Sequence, residues 1–565
     1  MRLPPRRYSV TIFCKDNGKK FLISVRYPSL PGIQTSCFEF QPSGEEHSDE
    51  PTQSVPRPSK TRAVHFLDPE TATLGPILTG VEVRDREIYK EKGGQVFLVK
   101  WAGPDDPLMP RNWPMSIRIG IVLQISFLGL LLTAASAVDS VVIPQAAKEL
   151  GVSEVFESLA TGLFLVGMGI GSLIAGPFSE TFGRTAVYSI SLLLFMIWIM
   201  ASALAPNIGS QITFRLLAGC CASAPLVCAG GTIADMFDRT EKTWTFPLFA
   251  IISFTGPSLG PVIAAFIGPS DVLSWRWAEW IMLSAGALVL GVVLLFMRET
   301  YAPTLLEWKA THYRNITGDN RFRAEHEITE MTLLSRLKQS MTRPFVMLTE
   351  PIIVVMTSYI TVIYVVLFTF LVGWPQIFEF TYDISQGLSN TIFVAISLGT
   401  LSNFFLLPII YRNTTHWARQ HAHEPFKPEI RLWWGTYGAS VAIPVSLFWL
   451  GWTNYSSISI WSAIFAVWLF GYGTAGIFIC IYMYIIDSYE TYSASALTFV
   501  ALTRYVVAGG MTVVGIPFYE NVGTHFTLTI LGCIAAVLVP VPYVLSYRGH
   551  FLRHRSKYAV DQDLD

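Results

Sequence analysis

Long apolar runs, rather than short amphipathic periods, dominate the pattern of this chain. Twelve of them fall at roughly 118–143, 158–177, 186–205, 211–234, 245–268, 277–297, 349–373, 388–411, 432–452, 459–485, 493–517 and 526–547. A helix needs about 20 such residues to cross the hydrocarbon core of a bilayer. The runs come as six, a polar stretch of about fifty residues, then six more. The pattern predicts an all-α membrane protein with about 12 transmembrane helices in two six-helix bundles, 116–298 and 347–548. An N-terminal region (1–115), a central loop (299–346) and a tail (549–565) complete the chain.

Within the N-terminal region, residues 1–40 mix basic and apolar residues without a clear period. Residues 41–80 are rich in Ser, Glu, Pro and Thr and carry too little apolar content for a core, so the region reads as largely disordered. Around 81–101 two short alternating stretches suggest a hairpin.

Composition agrees with the pattern. The chain is 51% hydrophobic and 14% charged, with a mean hydropathy of +0.43; a soluble domain carries about 25% charged residues. The net charge of −1 says little about partners. Of seven cysteines, Cys220, Cys221, Cys228, Cys480 and Cys533 lie in apolar runs and Cys14 and Cys37 in the polar N-terminal region. An odd, mostly intramembrane set does not suggest a disulfide framework. No short basic-then-apolar segment with a cleavage site stands near residue 1, so no removable signal peptide is expected and the first span is expected to direct insertion.

The loop charges predict orientation, because basic residues concentrate on the cytoplasmic side. With the N-terminus inside, the cytoplasmic loops hold Arg184, Arg239, Lys242, seven basic residues from Lys309 to Arg343, then Arg412, Arg419, Lys427 and Arg431, and the tail adds four more. The outer loops hold Lys148 and Arg276. Both termini are therefore expected in the cytoplasm. The sequon at Asn315 then lies on the wrong side for glycosylation, and the one at Asn454 lies close to the membrane. Two six-helix halves joined by a long loop suit transport by rocking about a midplane site; a receptor or scaffold bundle is the plainer alternative.

Three strings carry candidate chemistry. After the second run comes Gly176-Pro-Phe-Ser-Glu180-Thr-Phe-Gly183-Arg184, in which a glycine ends the helix and an acid and a base flank a tight turn. The pair can clamp neighbouring helix ends as a cytoplasmic gate, or can be an ordinary charged turn. Arg215 stands in the fourth run, where an arginine is costly and faces a cavity or a partner; it reads either as a proton-transfer residue or as a structural arginine on helix-end carbonyls. The fifth run contains Gly256-Pro257-Ser-Leu-Gly260-Pro261, two Gly-Pro pairs that kink the helix and thin one face, suited to sealing one half against the other.

These strings resemble those of the major facilitator superfamily. The first is similar to its signature loop, with Glu180 in place of the usual aspartate and Thr185 in place of a second basic residue. Arg215 resembles the fourth-helix arginine of proton-coupled antiporters. Gly256, Pro257, Gly260 and Pro261 resemble the antiporter motif, although the glycine pair that often follows is Ala264-Ala265 here. Asp106-Pro107 with Pro110-Arg111-Asn112-Trp113-Pro114, Trp275-Arg276-Trp277, Glu299-Thr300-Tyr301-Ala302-Pro303 and the string from Asp487 through Tyr489 and Tyr492 are similar to fungal members of the twelve-span drug:proton antiporter branch. The resemblance covers about 102–550. It implies the major facilitator fold and a multidrug, polyamine or secondary-metabolite efflux carrier, monomeric, in the plasma membrane.

The remaining intramembrane charges are candidates for coupling. Asp139, late in the first run, is either a buried acid able to titrate between the two faces or an aspartate at the outer lip. Arg504, in the eleventh run, can pair with a carboxylate or hold an anionic substrate group. Asp235, Asp487 and Glu490 read as structural charges at cytoplasmic helix ends. His416, His421 and His423 lie in a loop without metal-ligand spacing. No phosphate-cradling loop and no nucleophile–base or metal constellation is present, so an enzyme or an ATP-driven pump is not expected. The expected partners are a small-molecule substrate, protons and the bilayer, not nucleic acid, with an ion gradient and no cofactor as the energy source. Uptake, uniport, polyamine export and a transport-inactive sensor stay open.

Overall fold

A computed structural model describes residues 9–16, 19–26, 37–38, 80–85, 95–328, 333–421 and 426–559. The chain divides into two compact units, residues 1–109 with 305–330, and 110–304 with 331–565.

The larger unit is the helical bundle. Among the described residues, eleven helices are long and apolar enough to cross a membrane, beginning with Met115–Val141 and Glu154–Phe182 and ending with Thr524–His554. The ninth predicted run, 432–452, is broken instead into a π-turn, Gly435–Ala439, and a short helix, Ser440–Thr453. Gly438 has φ 98° there, a conformation that only glycine adopts without strain. This broken segment occupies the place of the ninth of the twelve runs expected from the sequence.

The loops after the second, fourth, eighth and tenth spans share one end of the bundle, here termed the even-loop end. Arg184 of the first such loop reaches Asp235 at the end of the fourth span. Across the halves, the second span lies along the eleventh and the fifth along the eighth. Glycines permit the first of these approaches: a Cβ on Gly162 would come within 2.7 Å of the Gly509 carbonyl oxygen.

Several boundaries differ from the expectation. The second helix does not end at Gly176; it continues to Phe182 and stops at Gly183, whose φ is 86°. The first α-helix ends at Ala135, and Asp139 sits in a separate 3₁₀ turn, Val138–Val141.

In the smaller unit, Val81–Asp85 pairs antiparallel with Gln95–Val99, and Phe322–Arg323 of the central loop adds a short parallel partner. Phe97, Val99, Ala310 and Phe322 form its core, and Lys309 holds Asp106 at 2.9 Å. Part of the central loop thus folds with part of the N-terminal region, two stretches the sequence pattern kept apart. Ser9–Asp16 also pairs with Lys19–Arg26. The tract at 41–79 read as disordered lies outside the described residues, as does His423.

Candidate functional site

Two constellations occupy the bundle, one of charge and one of aromatic surface. The first gathers at the odd-loop end of the first half. The Nη2 of Arg215, fully buried in the fourth span, lies 2.7 Å from Asp139 Oδ2, and its Nη1 lies 3.5 Å from Glu279 Oε1. Nη2 also donates to the Ala135 carbonyl at 3.1 Å, one of those left open where the first helix stops. Arg215 therefore sits on a helix-end carbonyl, as the structural reading of it expects, and also pairs with an acid. Its guanidinium lies over the Phe164 ring at 4.7 Å. Glu157, at the start of the second span, is bonded by Gln211 at 2.8 Å beside this group. Asp139 is 3% exposed and Glu157 2%, so neither stands at a wet lip. A single guanidinium faces three buried carboxylates.

Sequence reasoning named Asp139 and Arg215 and missed Glu279 and Glu157. Both glutamates lie in the first turns of their helices, where an acid ordinarily complements the helix dipole. Only the bundle packing turns them inward.

The cavity lies between the halves. Its free volume is about 50 Å³, and its walls include Thr133, Phe246 and Phe254 from the first half and Tyr364, Phe478, Tyr482 and Arg504 from the second. Asp139 and Arg215 do not line it. Arg504 is thus separated from the residues with which the sequence reading grouped it.

Both ends of the cavity are closed. At the even-loop end Arg431, just before the broken ninth span, donates to Thr243 Oγ1 at 2.5 Å and to the Arg239 carbonyl at 2.7 Å, both in the first half. Its Nε is held 2.6 Å from Asp487 of the tenth span. Arg239 pairs in turn with Glu490. Asp487 and Glu490, read as structural helix-end charges, belong to this inter-half latch, and Arg431 had not been singled out. At the other end Gln386 of the second half donates to the Val141 carbonyl at 2.7 Å and accepts from Gln145 at 3.0 Å.

The signature-loop residues hold the first half together. Arg184 reaches Asp235 at 3.3 Å and Ser179 at 2.7 Å. The carboxylate of Glu299 accepts from the amides of Arg184 and Thr185 at 2.9 and 3.0 Å, capping the third span. Gly183 is required beside it, because a Cβ would meet Glu299 Oε2 at 2.6 Å. Glu180, expected to act with Arg184, is exposed, and Asp235 is the carboxylate bonded to Arg184. Gly176 has open space about its Cα.

The fifth span breaks at Thr255, between Lys242–Phe254 and Gly256–Ala264. Pro257 occupies the first turn of the second piece, where no amide hydrogen is needed, and Pro261 lies within it. The thin face was expected to seal the halves, but Gly256 and Gly260 pack instead against Leu130, Ala134 and Val138 of the first span. Within this string Ser258 is bonded to Ser397 of the second half at 2.8 Å.

A multi-pass helical bundle closed at both ends around a cavity between its halves is the architecture of a membrane carrier. The chain matches the Major Facilitator Superfamily over residues 125–513 and belongs to it. It is 46% identical to the MFS-type transporter kojT of Aspergillus flavus over 466 residues, 82% of each chain. It is 30% identical to the efflux pump radE of Floropilus chiversii over 483 residues, 83% of this chain and 87% of that one. Among solved structures, the proton:xylose symporter XylE bound to 6-bromo-6-deoxy-D-glucose superposes with a TM-score of 0.56 at 15% identity, covering 77% of this chain and 96% of that one. The protein is a transporter and not an enzyme.

Proposed function

We propose that the chain is a proton-coupled carrier that exports small amphipathic molecules from a fungal cell by alternating access. The observation that carries this reading is the Asp139–Arg215–Glu279 cluster. It holds more acid than base, is shielded from solvent, and stands apart from the cavity, so proton and cargo can occupy different places. The loop charges assign the odd-loop end to the outside and both termini to the cytoplasm. A proton arriving from outside would neutralise the Asp139–Glu279 pair, loosen its hold on Arg215, and free the fourth span to shift against the first. That shift is the proposed coupling to the rocking of the halves.

The Arg431 latch would then act as the cytoplasmic gate, with Glu180, Gly183 and Arg184 stiffening the half against which it closes. The broken fifth span, through Gly256, Pro257, Gly260 and Pro261, would keep the first half rigid while Ser258 reports its position to the eighth span. The proton gradient supplies the energy, no cofactor is needed, and the carrier works as a monomer in the plasma membrane. A relative named as an efflux pump supports export rather than uptake. A polycation is a poor cargo for a cavity whose charged wall residue, among the described ones, is Arg504.

The test is efflux of dyes, antifungals, polyamines and aromatic acids from cells expressing the chain, with and without a protonophore. Export of a panel member that stops when the gradient is collapsed is the expected result. Accumulation driven inward by the gradient would contradict the proposal.

A further inference from the structure

The arginines singled out in the bundle fall into two kinds. Arg184, Arg215 and Arg431 each lie within 3.3 Å of a carboxylate. Arg504, only 4% exposed, has no acid in ion-pair range among the described residues. Its Nη2 reaches the Tyr505 hydroxyl at 3.2 Å, and its Nε and Nη1 have no hydrogen-bond partner among the described residues. Four rings surround it, Tyr364 and Tyr505 at 4.5 Å, Tyr482 at 5.2 Å and Phe478 at 5.4 Å.

Rings and guanidinium attract one another through the ring quadrupole, which offsets part of the cost of burying the charge. Apart from the Tyr505 hydroxyl on Nη2, the rings offer no acceptor, and Nε and Nη1 stay unmet. A buried N–H left unmade costs free energy, and more when the group is charged. The position is a wall of the cavity between the halves, so an acceptor can be supplied from within it.

We infer that Arg504 is the anchor for an anionic substrate group, and that the cargo class is compact, ring-bearing carboxylic acids such as aromatic carboxylates. The inference rests on the proposed transport function and names its substrate class. A carboxylate supplies the pair of in-plane acceptors that the guanidinium fork matches. Tyr364, Tyr482 and Phe478 would take the ring by offset or edge contact, and Phe254, 5.1 Å from Phe478, extends that surface across to the first half. The cavity of about 50 Å³ between these side chains suits a compact guest better than an extended one.

The test is equilibrium binding to the full chain in lipid nanodiscs, followed by calorimetry, with benzoate, the neutral isostere benzamide and the cation benzamidine as probes. Benzoate is expected to bind at least about tenfold more tightly than either, a difference of about 1.4 kcal/mol. Arg504→Gln is expected to erase that preference, and Arg504→Lys to keep the preference for the anion at reduced affinity. Arg504→Lys also covers the case in which Arg504→Gln fails to fold. Equal binding of benzamidine, benzoate affinity unchanged in Arg504→Gln, or no benzoate binding to folded wild-type chain would overturn the inference. Binding needs no gradient, so a chain that binds benzoate through Arg504 but exports nothing contradicts the proposed function and leaves this site standing.

Discussion

The guanidinium of Arg215 stands 2.7 Å from the carboxylate of Asp139, and the two come from spans that the packing of the first half brings together away from solvent. Glu279 lies beside Asp139 on the same cation, its Oε1 3.5 Å from Arg215 Nη1. One base is thus shared between two acids, and removing the base differs from removing one acid.

Arg215→Ala leaves both carboxylates buried without a counter-charge, a loss of about 3–5 kcal/mol by analogy with broken buried pairs. Asp139→Asn leaves the Arg215–Glu279 contact in place and costs less. Thermal unfolding of purified protein in detergent should therefore rank Arg215→Ala well below Asp139→Asn. The reverse order would remove the shared-cation account.

The Arg431 latch predicts a change in access. Arg431→Ala removes the bonds to Thr243, the Arg239 carbonyl and Asp487 together. A cysteine at Ser223, inside the cavity, in a chain otherwise cleared of cysteines, should then react about tenfold faster with a membrane-impermeant maleimide applied to the even-loop face, as the loss of about 1.4 kcal/mol from the closed state implies. Unchanged labelling would mean that the latch does not hold that end closed.

The twelve-run pattern was legible because a bilayer demands long apolar segments whatever the tertiary contacts. The split of the ninth crossing at Gly438 was not, because its flanking residues are as apolar as those of an unbroken helix. Asp139 and Arg215 were legible as charges in apolar runs. Glu157 and Glu279 were hidden by position, since an acid in a first helical turn has a sufficient local reason to be there. Arg431 was hidden among loop arginines, and its burial is a product of the closed halves. The string from Gly256 to Pro261 was found by its glycines, but which neighbour they face is decided by rotation of the helix, which spacing does not fix.

That facing predicts a packing effect. A Cβ on Gly260 would clash with the Ala134 carbonyl, a backbone atom that cannot swing aside, whereas Gly230 has open space. Gly260→Ala should destabilise by about 1–3 kcal/mol, as overpacking does, and Gly230→Ala should be near neutral. Detergent unfolding of the two variants checks this, and equal stability would contradict the close approach of the fifth and first spans.

In the smaller unit, burial pushes the Asp106 carboxyl up, but the amides of Ala102 and Leu108 and the Lys309 ammonium outweigh it and hold it below the ordinary aspartate value. A depressed folded value means that the contribution is present at neutral pH and lost as pH falls from about 4 through the folded value. Asp106→Asn should speed amide hydrogen exchange in segments 95–109 and 305–317 of the full chain at pH 7. Exchange equal to wild type would mean that the Asp106–Lys309 contact does not order that unit.

The most direct test of proton coupling through the cluster compares two transport modes in proteoliposomes, using a compound that the efflux panel shows to be exported. Net transport driven by a pH gradient requires the proton to load and leave, whereas exchange of labelled for unlabelled compound at equal pH does not. For Asp139→Asn paired with Glu279→Gln, the account predicts that gradient-driven transport is lost while exchange persists. Gradient-driven transport at the wild-type rate in that double variant would contradict it.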